Sequence, residues 1–267
     1  MATVTSKDGT SIAYETMGSG PPLILVDGAM CYRDFGPMRP LAETLKDRFT
    51  VIIYDRRGRG ESGNTLPYSP EREVEDLGVL IDGPGRGSVY LYGCSSGGKL
   101  AVEAANAYPV KVKKLIVYEM PIIVDDTRDP MPADYVPTLH ANLKAGRNGA
   151  AVKQFMKFVG VPGFMLLLMP LMMGKNWKKM EAIAPTLAYD IGMMSALQQG
   201  KPLPAGAWHD STGAALVSDG GKSPKWMRNS QAALARTLHA EYRTLPGQTH
   251  MVIAKEQAPM ITEFLGG

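Results

Sequence analysis

Gly93-Cys94-Ser95-Ser96-Gly97 is the stretch that decides the fold of this chain. It follows an apolar, β-prone run at residues 88–92 and precedes a helical pattern at residues 98–105. A strand, a G-x-S-x-G turn and a helix in this order predict a sharp turn that exposes the central serine at the end of the strand. The outer glycines leave room for strand and helix to pass close together. Ser95 is therefore a candidate nucleophile, placed at a helix N-terminus that favours developing negative charge.

The motif alone also fits an ordinary glycine-rich turn, but the pattern around it supports the strand and the helix. Further apolar runs predict buried strands at residues 22–26, 49–54, 114–118, 214–218 and 241–245. Helical patterns lie between them at residues 35–45, 70–81, 224–238 and 258–265, and Lys7-Asp8-Gly9 marks an N-terminal hairpin. Strands that alternate with helices predict an α/β fold whose mostly parallel sheet is covered on both faces.

Residues 121–204 interrupt this alternation. They lack β-branched runs and contain helical stretches at residues 133–144, 150–159, 177–184 and 186–199. We interpret them as a helical cap inserted after the sixth strand, into a core formed by residues 1–120 and 205–267. The methionines of this segment either line a pliable apolar pocket or fill the core of the cap. Its most apolar part, residues 159–173, is interrupted by glycine and proline and is too short to span a bilayer.

Composition narrows the classes of partner. The 267 residues carry a net charge of +3, and the lysine clusters at residues 111–114 and 175–179 are short enough to be solvated faces. We therefore expect a small-molecule substrate, with no nucleic-acid and no membrane partner. The two cysteines, Cys31 and Cys94, lack metal-ligand spacing, so neither a metal nor a disulfide framework is expected. The sequence implies no organic cofactor, and it leaves open whether the protein forms a homodimer.

The first residues of the chain bear on its compartment. Residues 1–8 lack the apolar segment of a secretion signal, and a reducing environment suits two unpaired cysteines. These two observations predict a cytoplasmic protein.

Four features, taken in order, resemble the α/β-hydrolases over nearly the whole chain. They are Val26-Asp27-Gly28 after the third strand, the turn-rich loop at residues 55–62, the turn at Ser95, and Gly247-Gln248-Thr249-His250 near the C-terminus. The resemblance implies the α/β-hydrolase fold, with a mostly parallel eight-stranded sheet and a helical cap. It also implies a serine hydrolase that cleaves an ester or lactone through an acyl-enzyme. The loop at residues 55–62 is expected to be structural, with Asp55 bonded to backbone amides.

A serine hydroxyl needs a base that accepts its proton and a third group that orients the base. Of the four histidines, His140 and His209 lie in or beside the predicted cap, and His239 ends a helix. His250 follows the last strand, where the resemblance places the catalytic imidazole. A histidine on a surface loop is the alternative interpretation of His250.

The acid departs from the common pattern of the family. The usual position is an aspartate in the loop after the strand at residues 214–218, where Ser223 stands here in place of the expected aspartate. Glu119, directly after the strand at residues 114–118, is our first candidate. Its Glu-x-Pro context, together with the G-C-S-S-G turn, resembles the zearalenone lactone hydrolases. Asp219 is the second candidate.

Two further interpretations of the acid stay open. Asp125 or Asp126 is a third candidate for the acid of the triad. Glu119 could instead cap the end of its strand or pair with Arg128.

The resemblance further implies an oxyanion hole made of backbone N–H groups. Ser96 supplies one donor, and Gly28 or Ala29 supplies the other. Asp27 stands where many relatives have histidine, and it either orients this loop or caps the helix that follows.

Three other classes of function remain to be weighed. The same fold could carry lyase, C–C hydrolase or cofactor-free perhydrolase chemistry, and it could serve as a non-catalytic ligand-binding protein. A dinucleotide-binding protein is disfavoured because Gly58-Arg59-Gly60 matches G-x-G-x-x-G poorly.

Overall fold

A computed structural model describes residues 2–208 and 213–266, so His209 lies outside the described residues. The strands are β1 (Ala2–Thr5), β2 (Ser11–Met17), β3 (Pro22–Val26), β4 (Thr50–Tyr54), β5 (Val89–Cys94), β6 (Val112–Tyr118), β7 (Ala214–Gly220) and β8 (Glu241–Leu245). They form one sheet in the order β1-β2-β4-β3-β5-β6-β7-β8. β2 runs antiparallel to both of its neighbours, and the other pairs are parallel. The eight-stranded, mostly parallel sheet is therefore confirmed.

Ten α-helices are found within the described ranges. They are α1 (Met38–Leu45), α2 (Pro70–Asp82), α3 (Ser96–Ala107), α4 (Tyr135–Lys144), α5 (Asn148–Phe158), α6 (Gly163–Met173), α7 (Lys175–Ile183), α8 (Leu187–Met194), α9 (Lys225–Thr237) and α10 (Ala254–Gly266). Short 3₁₀ helices cover Ala184–Thr186 and Ser195–Leu197. We refer to α4–α8, which lie between β6 and β7, as the cap. None of the helices in the described parts of the chain is long and apolar enough to cross a bilayer.

The central strands of the sheet are buried on both faces. Successive side chains of a strand point to opposite sides, and both sets pack into apolar layers. Leu23 and Leu25 of β3 pack into one apolar layer, which includes α1 and α10. Ile24 and Val26 pack into the other layer, which includes α2, α3 and α9. This explains why the central strands are continuous apolar runs.

The parallel strands bring the candidate site residues to one edge of the sheet. Gly93 of β5 is in register with Val26 of β3 and with Val117 of β6. Tyr118 at the end of β6 is in register with Ser218 of β7. The residues that directly follow β3, β5 and β6 therefore meet at the carboxyl edge.

The helix α6 was not predicted. Residues 163–173 are almost uniformly apolar, so they carry no helical period, and they contain Gly163 and Pro170. The methionines also divide in an unexpected way. Met131 and Met180 are buried in an apolar cluster formed mainly by the cap, whereas Met172 is exposed. Core filling within the cap therefore accounts for part of its methionine content.

Candidate active site

Ser95 lies in a strained turn between β5 and α3. Its backbone has φ 52° and ψ −131°, outside the regions that non-glycine residues usually occupy. The flanking glycines permit this packing: a Cβ on Gly97 would lie 2.4 Å from the carbonyl oxygen of Val26, and one on Gly93 would lie 2.6 Å from the carbonyl oxygen of Gly97. The predicted close approach of strand and helix is confirmed.

Glu119 and His250 form a direct pair. The Glu119 side chain is fully buried, and its Oε2 lies 2.9 Å from Nδ1 of His250. The other carboxylate oxygen, Oε1, accepts a hydrogen bond of 2.7 Å from the Gly220 N–H. Like Ser95, Glu119 has a positive φ, 48°. The carboxylate is thus held on one side by the Gly220 N–H and on the other by its contact with the imidazole.

Hydrogen bonds to backbone carbonyls next to the three candidate triad residues hold them at one edge of the sheet. The Ser95 N–H donates to the Tyr118 carbonyl at 3.0 Å, directly before Glu119. The Tyr118 hydroxyl donates to the Thr249 carbonyl at 2.5 Å, directly before His250. In the described parts of the chain no hydrogen bond joins Ser95 Oγ to His250. Catalytic hydrogen bonds often tighten only when substrate binds, so this geometry is compatible with a relay between them.

The alternative acids have other hydrogen-bond partners. Asp219 Oδ2 accepts a 2.5 Å hydrogen bond from the Tyr242 hydroxyl, and burial raises the pKa of Asp219 above its usual value. Asp125 accepts hydrogen bonds from Thr127 and Asn229. Neither aspartate forms a hydrogen bond with His250 in the described residues.

Arg128 does not neutralise Glu119. Its guanidinium stacks over the rings of Phe158, at 4.9 Å, and Trp226, at 4.1 Å. The alternative in which Glu119 pairs with Arg128 is therefore wrong.

The loop after β3 lies against the serine. A Cβ on Gly28 would lie 2.9 Å from the Ser95 Cβ, so only glycine fits here without a shift. Ala29 follows, and Met30 has a positive φ of 62°. Ser96 begins α3, where the first backbone N–H groups have no partner within the helix. Gly28 and Ser96 thus border Ser95, and Ala29 follows Gly28 in the same loop.

Asp27 is buried behind this loop. Burial raises its pKa to about 7, and the Arg59 guanidinium and the Gly28 N–H oppose part of the rise. Its Oδ1 has no hydrogen-bond partner among the described residues, as suits a carboxyl that is neutral over part of the pH range.

We expect Asp27→Asn to flatten the pH dependence of stability. Burial raises the pKa of Asp27 from 3.8 to about 7 in the folded protein. Between these two pH values the carboxyl is protonated in the folded protein and ionised in the unfolded chain. The contribution of Asp27 to stability is therefore complete below pH 3.8 and declines as pH rises toward 7. Urea unfolding of both proteins across this window measures the difference, and parallel pH profiles would contradict the assignment.

A buried ion network links the cap to the serine turn, and sequence reasoning missed it. Asp190 of α8 accepts hydrogen bonds from Arg56 at 2.7 Å, Arg59 at 2.5 Å and the Ser96 hydroxyl at 2.7 Å. Burial alone would raise the pKa of Asp190, but the two guanidiniums outweigh it and hold that pKa below its usual value. Glu73 of α2 binds Arg56 through both of its oxygens.

The same network reaches the loop after β3. Arg59 donates to the Gly28 carbonyl at 2.7 Å and to the Cys31 carbonyl at 3.2 Å. The structure confirms in part the structural role predicted for the loop at residues 55–62. Asp55 accepts hydrogen bonds from the backbone N–H groups of Arg33 and Glu61. The arginines extend that role to the residues that border Ser95.

A cavity of about 570 Å³ lies in the cap, away from these residues. Arg128, Tyr135, Thr138, Lys157 and Phe158 are among its lining side chains, and none of Ser95, Glu119 and His250 is. This cavity is therefore separate from the candidate active site.

Similarity to known proteins agrees with the fold. An alpha/beta hydrolase from Sphaerobacter thermophilus, known as a crystal structure, is 44% identical to this chain, with a TM-score of 0.89, over 99% of this chain and 100% of that one. The uncharacterized hydrolase YraK of Bacillus subtilis is 31% identical over 119 residues, 43% of each protein. The non-heme chloroperoxidase of Streptomyces lividans is 30% identical over 155 residues, which are 55% of this chain and 56% of that protein.

The matches to these two curated relatives thus span between 43% and 56% of their length. The model of the alpha/beta hydrolase family matches much more of this chain, residues 19–259. That stretch includes the serine turn, the loop after β3, the cap helices and the histidine loop. The chain therefore belongs to the alpha/beta hydrolase family.

Proposed function

We propose that this protein is a serine hydrolase that cleaves an ester or lactone of an apolar small molecule. Ser95 is the nucleophile, His250 the general base and Glu119 the residue that orients and stabilises the imidazole. The observation that carries the proposal is the 2.9 Å contact between Glu119 Oε2 and His250 Nδ1, made by a fully buried carboxylate. This contact leaves Nε2 of His250 to serve the serine.

The reaction divides into two acyl transfers. Ser95 Oγ attacks the carbonyl carbon while His250 accepts the hydroxyl proton, and the carbonyl oxygen becomes an oxyanion. The backbone N–H groups of Ser96 and of Ala29 or Gly28 stabilise that charge, and one such donor typically contributes about 3 kcal/mol. His250 then protonates the leaving alcohol as the C–O bond breaks. Water, activated by the same imidazole, releases the acid and restores Ser95.

Covalent labelling and burst kinetics test the first half of this scheme. An alkyl fluorophosphonate should add one equivalent to the wild-type protein, on the peptide that contains Ser95. A p-nitrophenyl ester should release p-nitrophenol in a burst of one equivalent when deacylation is slow. A panel of aryl esters and lactones then ranks the substrate classes. Absence of any label on the folded wild-type protein would contradict an activated serine and favour a ligand-binding role.

The two candidate acids can be separated by a matched pair of variants. We expect Glu119→Gln to lower kcat about 10³- to 10⁴-fold, because an amide cannot stabilise the imidazolium and favours the wrong tautomer. Asp219→Asn should stay within about tenfold of the wild type. Turnover of a p-nitrophenyl ester measures both, with thermal unfolding as the control for folding. The reverse order of effects would move the third member of the triad to Asp219.

Perhydrolysis is a second candidate, favoured by the similarity to a non-heme chloroperoxidase. Hydrogen peroxide would replace water as the attacking group, and the acyl-enzyme would then yield a peracid. Ser95, His250 and Glu119 would keep the same roles. Incubation with acetate, hydrogen peroxide and bromide distinguishes the two reactions, because only a peracid formed by the enzyme oxidises bromide above the background rate.

A further inference from the structure

The helix α6 presents an apolar surface to solvent. Phe164, Leu167, Leu168, Leu171 and Met172 are each between 50% and 85% exposed. We call these five residues the α6 patch. A contiguous group of this kind is unusual on a monomer and commonly marks a site of interaction.

The opposite side of α6 is anchored in the cap. Leu166 is buried, and Met169 and Met173 pack against the apolar cluster that contains Trp177 of α7. The same cluster includes Met30, from the loop that borders Ser95. The α6 patch is therefore the outward face of a helix whose inner face is anchored in the cap.

The α6 patch lies within a cationic part of the chain. Residues 135–180 contain no aspartate or glutamate. The cationic side chains of this segment are Lys144, Arg147, Lys153, Lys157, Lys175, Lys178 and Lys179. Lys157 is in the last turn of α5, and Lys175 and Lys178 are in the first turn of α7, so they flank α6 on both sides. All three lysines are exposed. Across the described ranges none of these three lysines forms an ion pair.

The positive charge beside the α6 patch distinguishes between two kinds of partner that could cover it, a second copy of the chain and a lipid surface. A second copy across a two-fold axis would place the same residues opposite one another. The lysines beside α6 would then face each other, with no carboxylate in residues 135–180 to pair with them. A surface of anionic lipids offers apolar chains to the leucines and negative headgroups to the lysines.

We propose that the α6 patch and its flanking lysines dock the protein on an anionic lipid surface. The 11 residues of α6 span about 16 Å, so the helix lies along the interface and does not cross the bilayer. Its apolar face inserts at the boundary of headgroups and acyl chains, and Lys157, Lys175 and Lys178 contact the headgroups. The proposal replaces the expectation of no membrane partner that the sequence supported. The composition of α6 does not show that one of its faces is exposed.

Sedimentation with vesicles tests the proposal on the full-length protein. We expect the wild type to sediment with vesicles of phosphatidylglycerol and phosphatidylcholine in equal amounts, and to stay in solution with phosphatidylcholine alone. The double variant Leu167→Gln/Leu171→Gln should lower the partition coefficient at least tenfold. Lys175→Glu/Lys178→Glu should do the same at low salt, and added salt should weaken binding of the wild type.

A matched control lies at the other edge of the sheet. Val110 is 78% exposed just before β6, and Lys113 is exposed beside it. Val110→Gln/Lys113→Glu should bind vesicles as the wild type does. Thermal unfolding confirms that each variant is folded, and this binding assay is independent of ester turnover.

Two results would overturn the proposal. One is the absence of wild-type sedimentation with anionic vesicles. The other is a stable dimer in light scattering that Leu167→Gln/Leu171→Gln converts to a monomer, since a second copy would then cover the α6 patch.

Discussion

Ser95→Ala should lower kcat for a p-nitrophenyl ester by about 10⁴- to 10⁶-fold, the largest effect on activity that we expect from any single substitution. The variant keeps the N–H groups that border the site and the pair of Glu119 and His250. What it loses is the oxygen that would form the acyl-enzyme in the proposed mechanism. Since the Ser95 hydroxyl makes no hydrogen bond within the described residues, its removal should leave the free energy of unfolding nearly unchanged.

The same substitution at the other end of β5 provides the control. Ser88 is exposed just before the strand, and Ser88→Ala should keep wild-type turnover and wild-type labelling by a fluorophosphonate. Steady-state kinetics with each protein, together with mass spectrometry of the labelled peptide, measures both effects. If Ser95→Ala kept more than a tenth of wild-type kcat, Ser95 would not be the nucleophile.

Asp190→Ala should lower the free energy of unfolding by about 3–5 kcal/mol, the largest effect on stability that we expect. The carboxylate is fully buried and lies between two buried guanidiniums, of Arg56 and Arg59. Arg56 would keep Glu73 as a partner, but within the described residues Asp190 is the only carboxylate bound to Arg59. The substitution would therefore leave a buried cation uncompensated.

Urea unfolding of Asp190→Ala and Asp190→Asn separates charge from hydrogen bonding. Asparagine can still accept from the Ser96 hydroxyl, so Asp190→Asn should fall between the wild type and Asp190→Ala. Asp129, an exposed residue of the segment before α4, supplies the control, and Asp129→Ala should stay within about 0.5 kcal/mol of the wild type. A loss below about 1 kcal/mol in Asp190→Ala would show that the network contributes little to stability.

Much of the candidate site could be predicted because it follows from topology. In a parallel sheet the carboxyl ends of the strands lie at one edge, so residues that directly follow β5 and β6 must meet there. Ser95 and Glu119 each directly follow a run recognisable as a strand. The pairing of Glu119 with His250 is expected from the resemblance to the α/β-hydrolases, which implies a catalytic imidazole in the loop after the last strand.

The buried network could not be predicted, because its partners are remote in sequence. Arg59 and Asp190 are separated by 131 residues, and nothing in either local pattern indicates the other. A turn-rich loop with three arginines has the composition of a solvated surface, yet Arg56, Arg57 and Arg59 are all buried. Only the packing of the cap against the core brings Asp190 to Arg56 and Arg59, and α2 supplies Glu73 and Asp76 to Arg56 and Arg57.

The positive φ angles of Ser95 and Glu119 bear on how this site evolves. Glycine would occupy both backbones without strain, so each side chain is kept at some expense of stability. Under the proposed mechanism, selection for chemistry, and not for folding, opposes drift to glycine there. A lineage that gave up turnover and retained only ligand binding would be free to relax both positions. The residue types at positions 95 and 119 of a relative therefore indicate whether its lineage still depends on catalysis.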